Sequence, residues 1–174
     1  MIKQDTLENR TKIAYLAIGS NLGNRLNNIN IAKAKLEFQN IKIIKSSSNY
    51  ENLSWPKIKN PKFINIIIKI ETFLPPEELL KKCNKIEKEL GRSRTYKNEP
   101  RTCDIDIIDF DNKVFKSAKK DHLNLPHPEL TKRNFVLLPL YEISKKWIHP
   151  KTKIKINELI SLLNADDLSA IKLV

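Results

Sequence analysis

Pro100-Arg101-Thr102-Cys103-Asp104-Ile105-Asp106-Ile107-Ile108-Asp109-Phe110 reads as a β-strand with two unlike faces. At a period of 2, Asp104 and Asp106 share one face, and Ile105 and Ile107 take the other, where a core would want them. Same-face neighbours on a strand have backbones about 7 Å apart, so their carboxylates can converge on one divalent ion or a close pair. Like charges that close repel unless a cation lies between them. Magnesium fits the need, because it commonly takes one or two carboxylates together with substrate phosphates. Arg101 stands just before the strand, with Arg92 and Arg94 further upstream. Guanidinium groups beside a metal-binding acid pair point to a polyphosphate. For an isolated Asp-x-Asp the competing reading is a solvated strand face, so the weight falls on the rest of the chain.

The chain has 174 residues, 40% of them hydrophobic and 30% charged, an ordinary balance for one globular domain. No apolar run approaches the ~20 residues of a membrane span. Met1 to Lys12 is polar and lacks the apolar stretch of a secretory signal. Residues 1–12 are therefore expected to form a flexible tail, and residues 13–174 a single domain in the cytoplasm. Cys83 and Cys103 show no metal or redox spacing and are expected to be buried, reduced thiols. The net charge of +12 accompanies lysines scattered along the chain, which argues against a nucleic-acid footprint.

Ile13 to Ile18 predicts a buried strand that ends in a turn at Gly19-Ser20-Asn21. Leu22, Leu26, Ile29, Ala32 and Leu36 fall at helical spacing, predicting a helix over about 24–38. Residues 41–48 predict a second strand. Residues 49–62, with two prolines and no period, predict a long loop of the kind that serves as a lid. Residues 63–72 alternate as a third strand. Pro75-Pro76-Glu77-Glu78 is a helix entry, Leu79, Cys83, Ile86 and Leu90 form its buried stripe, and Gly91 stops it. An arginine- and lysine-rich loop over 92–101 leads into the aspartate strand. Asp111-Asn112 predicts a hairpin back through 113–116, residues 123–128 are extended, and 135–143 and 157–163 predict short helices. The order strand, helix, strand, strand, helix, strand is the split βαβ pattern of an α+β, ferredoxin-like sandwich with C-terminal additions. Right-handed crossovers put both helices on one side of an antiparallel sheet. The opposite face, with Phe63, Asn65, Asp104 and Asp106, is left for a site.

With these elements in place, several short segments align with one family. They are Ala14-Tyr15-Leu16-Ala17-Ile18-Gly19-Ser20-Asn21-Leu22-Gly23, Pro61-Lys62-Phe63-Ile64-Asn65, Pro76-Glu77-Glu78-Leu79-Leu80 and Leu90-Gly91-Arg92-Ser93-Arg94. Pro100 to Asp106, Leu125-Pro126-His127-Pro128 and Arg133 to Leu140 complete the set. Over residues 13–160 the chain resembles the 6-hydroxymethyl-7,8-dihydropterin pyrophosphokinases of folate synthesis. The resemblance implies transfer of pyrophosphate from ATP to the hydroxymethyl group of the pterin, leaving AMP. It implies that Asp104 and Asp106 hold two magnesium ions on the ATP phosphates. Arg92 and Arg101 match the family's catalytic phosphate-binding arginines on a mobile loop. Arg94, His127 and Arg133 match further phosphate contacts, and Leu80, Asn84 and Glu87 match positions near the adenine.

For the pterin the resemblance implies Phe63 and Phe135 as aromatic faces and Asn65 as an amide that donates and accepts at once. The resemblance also implies that backbone around Asn52, Leu53 and Trp55 lines the ring edge, with Gly19 beneath it. The chain departs from many relatives in a shorter loop before Pro100, where Asn98-Glu99 replaces a Trp-Gly pair, and in Pro128, which is tyrosine in some of them. Trp55 on the other lid is expected to supply part of the missing cover. The partners expected are ATP and the hydroxymethyl pterin, with no nucleic acid, no membrane and a monomeric chain. The competing reading is a non-catalytic RNA-binding domain of the same fold class, against which stand the two aspartates on the binding face and the absence of an RNA-reading aromatic signature. No glycine-rich phosphate loop is present, which excludes the usual NTPase mechanism.

Overall fold

The computed structural model describes residues 10–54, 59–92, 99–116 and 123–174. In chain order the elements are β1 (Lys12–Ser20), α1 (Arg25–Phe38), β2 (Lys42–Ser46), β3 (Tyr50–Asn52), β4 (Phe63–Thr72), α2 (Pro76–Glu89) and β5 (Asp104–Phe110). Next come β6 (Phe115–Lys116), β7 (Asn124–Leu125), a 3-10 turn (Leu130–Lys132), α3 (Asn134–Ile143), α4 (Ile156–Ser161), α5 (Ala165–Ser169) and β8 (Ile171–Leu173). Among the described residues the main sheet has the order β5-β1-β4-β3-β8, with β2 also on β4. β4 is antiparallel to β1, β2 and β3, and β5 is antiparallel to β1. This is the ferredoxin-like arrangement, with the second strand broken into β2 and β3.

Two cores result from the strand alternation. Ala14, Leu16, Ile18, Ile64, Ile66, Ile68, Ile70, Ile105 and Ile107 face α1 and α2 and meet Ile29, Ala32, Leu36, Leu79, Cys83 and Ile86. Tyr15, Ile67 and Ile108 face the other way and meet Val136, Leu137, Leu140 and Ile143 of α3 with Trp147, Ile156 and Leu159. The second sheet face, expected from strand parity to be free, is thus covered along part of its length. The C-terminal helices cover the end holding Tyr15 and Ile67, while at the end holding Gly19 and Asn65 the Asp106 side chain stays partly exposed. The reason lies in composition: this face carries its own apolar residues away from the aspartates, and these need a partner layer.

Other expectations shift in detail. β1 starts at Lys12 and runs through Gly19 and Ser20, so the turn comes later than predicted. Arg10, from the expected tail, pairs with Asp111, and residues 1–9 lie outside the described set. Tyr50–Asn52, expected to be loop, forms a strand because β4 offers it an edge. Phe115–Lys116 pairs with Asn124–Leu125 and not with β5, so the expected hairpin is replaced by a separate ribbon. Of the residues at helical spacing in and before α1, Ile29, Ala32 and Leu36 are buried, and Leu22 and Leu26 are half-exposed at its entry. Cys83 and Cys103 are free thiols in the first core, and burial pushes the Cys103 pKa up to about 12. Among the described residues no helix is long and apolar enough to cross a membrane.

Candidate active site

Residues in register set the floor of the site. Gly19 of β1 stands opposite Asp104 of β5 on one side and Asn65 of β4 on the other. Ala17 stands opposite Asp106 in the next same-face row. Gly19 therefore lies between Asp104 and the Asn65 amide, and Ala17 between Asp106 and Ile67. Gly19 is there for space and not for conformation. A Cβ on it would lie 2.5 Å from Asn65 Oδ1 and 3.4 Å from Phe63 Cδ1. Its backbone lies outside the left-handed region that Gly23 and Gly91 occupy.

The register of β5 slips by one residue opposite Tyr15 and Leu16, with Ile108 as the extra residue. Such a bulge reverses the parity of the residues beyond it. It falls after Asp106, so Asp104 and Asp106 keep their shared face and Ile105 and Ile107 keep the core. Past the bulge Asp109 comes onto the α3 side, where it is buried and accepts a 2.8 Å bond from Trp147 Nε1. Burial is the main cause of its raised pKa.

The arginines reach the acids by different routes. α2 ends in a Schellman motif: Gly91 has φ +84°, its N–H bonds Lys88 O at 3.0 Å, and the Arg92 N–H bonds Glu87 O at 3.0 Å. This turn brings the Arg92 guanidinium back onto Glu87 and onto Asp104 Oδ1 at 2.8 Å. Arg101 Nη2 lies 2.8 Å from Asp104 Oδ2, and its guanidinium carbon sits 5.3 Å above the Phe63 ring centroid. Arg101 thereby spans the acid pair and the aromatic half of the site. Its backbone is fixed by buried Asn21, whose Oδ1 accepts the Arg101 N–H at 2.7 Å while its Nδ2 donates to Pro61 O at 3.1 Å.

Asp106 receives Arg133 Nη1 at 3.2 Å and lies 3.8 Å from His127 Nε2. His127 Nδ1 accepts the Glu129 N–H at 3.1 Å, which leaves the Nε2 proton for the Asp106 side in the neutral ring. Burial is the main cause that lowers the His127 pKa. Burial, and then the charge of Asp106, raise the pKa of Asp104 against the pull of Arg101 and Arg92.

On the other side of Gly19, Asn65 Nδ2 donates to Asn52 Oδ1, and Asn52 Nδ2 donates to Leu53 O at 2.8 Å. Both asparagines are buried, so their amide edges are fixed. Phe135 lies in the first turn of α3 at the margin of the second core, with Arg133 5.7 Å from its ring centroid. Asn84, Glu87, Lys88 and Arg92 line a cavity of about 310 Å³ on the α2 side. Leu80 is partly buried against the first core.

The structure therefore joins Gly19, Phe63, Asn65, Asn52, Asp104, Asp106, Arg92, Arg101, His127 and Arg133 in one region of the sheet. Leu53 is largely exposed beside it. Trp55 and Arg94 lie outside the described residues. Glu87, matched to an adenine contact, is buried, and its Oε1 accepts the Ile105 N–H at 2.7 Å while gripping Arg92. It holds an arginine and a strand as well as lining the cavity. Asn21 is the residue that sequence reasoning missed. Its signal is an amide directly after an apolar strand, a residue type that needs partners when buried.

Residues 15–145 match the model of the 7,8-dihydro-6-hydroxymethylpterin-pyrophosphokinase (HPPK) family. The 2-amino-4-hydroxy-6-hydroxymethyldihydropteridine pyrophosphokinase of Aquifex aeolicus is 42% identical over 136 residues, covering 78% of this chain and 82% of that protein. The folic acid synthesis protein of Pneumocystis carinii is 40% identical over 142 residues, covering 82% of this chain but only 19% of its own length. A solved Plasmodium falciparum HPPK-DHPS with pteroate shares the fold, with a TM-score of 0.71 at 16% identity, over 94% of this chain and 46% of that one. The chain thus spans most of the short bacterial relative and a minor part of the longer proteins. A family match of this extent sets aside the RNA-binding alternative. With three-quarters of its length matched and the acid pair, arginines and amide on one sheet face, the chain belongs to the 7,8-dihydro-6-hydroxymethylpterin-pyrophosphokinase family.

Proposed function

We infer that the pyrophosphate transfer of this family takes place across the row Asp104–Gly19–Asn65. The observation that carries this is the shared register: acid pair and amide lie on strands β5 and β4, separated only by β1. Two strand spacings amount to about 10 Å. That suits a bicyclic ring held at Asn65 with its hydroxymethyl arm reaching a phosphate beside Asp104. Phe63 and Phe135 offer the ring its faces, and the fixed Asn65–Asn52 amides and the backbone near Leu53 and Trp55 read its edge.

Asp104 and Asp106 would hold the magnesium ions, two in number. The donor set fits. Among the described residues there is no cluster of three or more metal-ligating side chains, so most oxygen positions fall to phosphate and water. Charge also fits. The carboxylates of Asp104, Asp106 and Glu87 are matched by the guanidiniums of Arg92, Arg101 and Arg133. Two divalent ions match the roughly four negative charges of a triphosphate, so a balanced cluster stays balanced. When bound, magnesium neutralises the phosphates and stabilises charge on the transferring group.

The protein groups then act by position and charge. Arg92 and Arg101 leave the Asp104 carboxylate for phosphate oxygens as charge builds on the leaving AMP side. Arg133 and His127, held at Asp106, and Arg94 reach further phosphate oxygens, while Asn84 and Leu80 border the nucleoside. The substrates are ATP and the hydroxymethyl dihydropterin. The working form is a monomer of one domain in the cytoplasm, without a nucleic-acid partner. Incubation with ATP, magnesium and hydroxymethyldihydropterin should yield AMP and the pterin diphosphate; ADP as the product would overturn the reading. Asp106→Asn should lower turnover by orders of magnitude while far-UV circular dichroism stays unchanged, and near-normal turnover would remove Asp106 from the metal site.

A further inference from the structure

The last elements of the chain touch both walls of the pterin side without belonging to either core. β8 pairs antiparallel with β3, placing Ile171 opposite Asn52, Lys172 opposite Glu51 and Leu173 opposite Tyr50. The Val174 N–H extends the ladder to Asn49 O at 3.1 Å. β3 is three residues long, and its other edge is on β4. So short a strand at a sheet edge opens easily, and a second neighbour satisfies its outward N–H and C=O groups. Asn52 is the residue whose amide fixes Asn65.

The second tie is to α3. Asn134 Nδ2 donates to the Asp167 carbonyl of α5, while Asn134 Oδ1 accepts the Phe135 N–H at 2.6 Å. Asn134 lies between Arg133 and Phe135, so its two-ended amide couples α5 to the backbone of the aromatic residue. α5 is in turn capped by Asn164, whose Oδ1 accepts the Asp167 N–H at 2.7 Å. No side chain of α5 or β8 is buried, and the whole segment lies beyond the matched residues 15–145.

We propose that residues 165–174 form a brace that positions the pterin side of the site, holding Asn52 through β3 and Phe135 through Asn134. The proposal rests on the assignment of that side to the pterin. The brace acts through backbone pairing and contributes nothing to the core, so its loss loosens the pterin walls and leaves Asp104, Arg92 and Arg101, on β5 and the loop after α2, in place.

The test compares the full chain, a variant ending at Asn164, Asn164→Ala and the exposed-side-chain control Lys172→Ala. Steady-state kinetics supply the Michaelis constants for ATP and hydroxymethyldihydropterin, and calorimetry the pterin affinity. Truncation should weaken pterin binding about tenfold, the cost of ordering side chains the brace had held, with the ATP constant within about twofold. Asn164→Ala, which frays α5 alone, should give a smaller shift of the same kind, and Lys172→Ala none. Unchanged pterin binding in the truncated chain overturns the proposal. Equal losses for both substrates in Asn164→Ala also overturn it, because the segment would then be a general stabiliser. A full-length chain that forms no AMP would instead refute the functional reading.

Discussion

Replacing Gly19 by alanine tests the central geometry, because two effects of opposite sign compete there. Gly19 lies in a strand without a left-handed φ, so alanine suits the backbone and would gain about 0.4–1 kcal/mol by restricting the unfolded chain. Against that gain stands the 2.5 Å approach of the new Cβ to Asn65 Oδ1, with Phe63 Cδ1 behind it at 3.4 Å. Asn65 is buried and bonded to Asn52, so its amide cannot turn aside without breaking that bond. Overpacking costs about 1–3 kcal/mol, and the lost hydrogen bond adds about 0.5–1.5 kcal/mol. The net loss is about 0.5–4 kcal/mol, a fall in melting temperature of about 2–4 °C for each kcal/mol in a domain of this size. The same rotation disturbs the edge offered to the pterin. Calorimetric titration with hydroxymethyldihydropterin should show affinity reduced at least about tenfold. ATP affinity should stay close to the original, since Arg92 and Asp104 do not move. Equal or higher stability together with unaltered pterin affinity would refute the reasoning. Gly91→Ala provides the contrast. Nothing lies within 4 Å of a Cβ there, so its cost is the backbone penalty of φ +84°, and it should appear at Arg92 on the ATP side.

Asn21→Ala strands the half-buried Arg101 N–H, while the Pro61 carbonyl, on an exposed residue, can turn to water, so the cost in a urea melt should be about 1–3 kcal/mol. Turnover should fall because Arg101 loses one of the two bonds that Asn21 makes to its backbone, the Asn21 N–H to Arg101 O bond remaining, and unaltered turnover would show that the remaining contacts suffice to hold Arg101. Asp109 carries a pH dependence of known sign. Its raised folded pKa means that, above the ordinary value of 3.8, the folded protein keeps a proton the unfolded chain has lost. Its contribution to stability therefore declines as pH rises through that window and levels off above the raised value. Asp109→Asn removes this decline, so the stability of the variant relative to the parent should increase with pH across the window; a relative decrease would contradict the burial that causes the shift.

Local pattern carried much of the fold. The alternation over 63–72, the proline and acids before α2 and the stop at Gly91 all act within a few residues, where sequence spacing and geometry coincide. The acid pair was legible for the same reason, since strand parity places Asp104 and Asp106 together without reference to any other element. β3 was not legible. Three residues have no period of their own, and Tyr50–Asn52 become a strand only because β4 presents an unpaired edge.

The sequence alone thus determined which residue types could do the chemistry and which strand faces they occupy, because both depend only on side-chain identity and a period of 2. Tertiary structure decided what stands beside them. Gly19 became a floor through its partners on two neighbouring strands, Glu87 became the anchor of Arg92 and of β5, and α3 closed half of the face that parity left open. Each of these depends on contacts between residues far apart in the chain. Strand register and layer packing fix such contacts, and neither is a property of any short stretch of sequence.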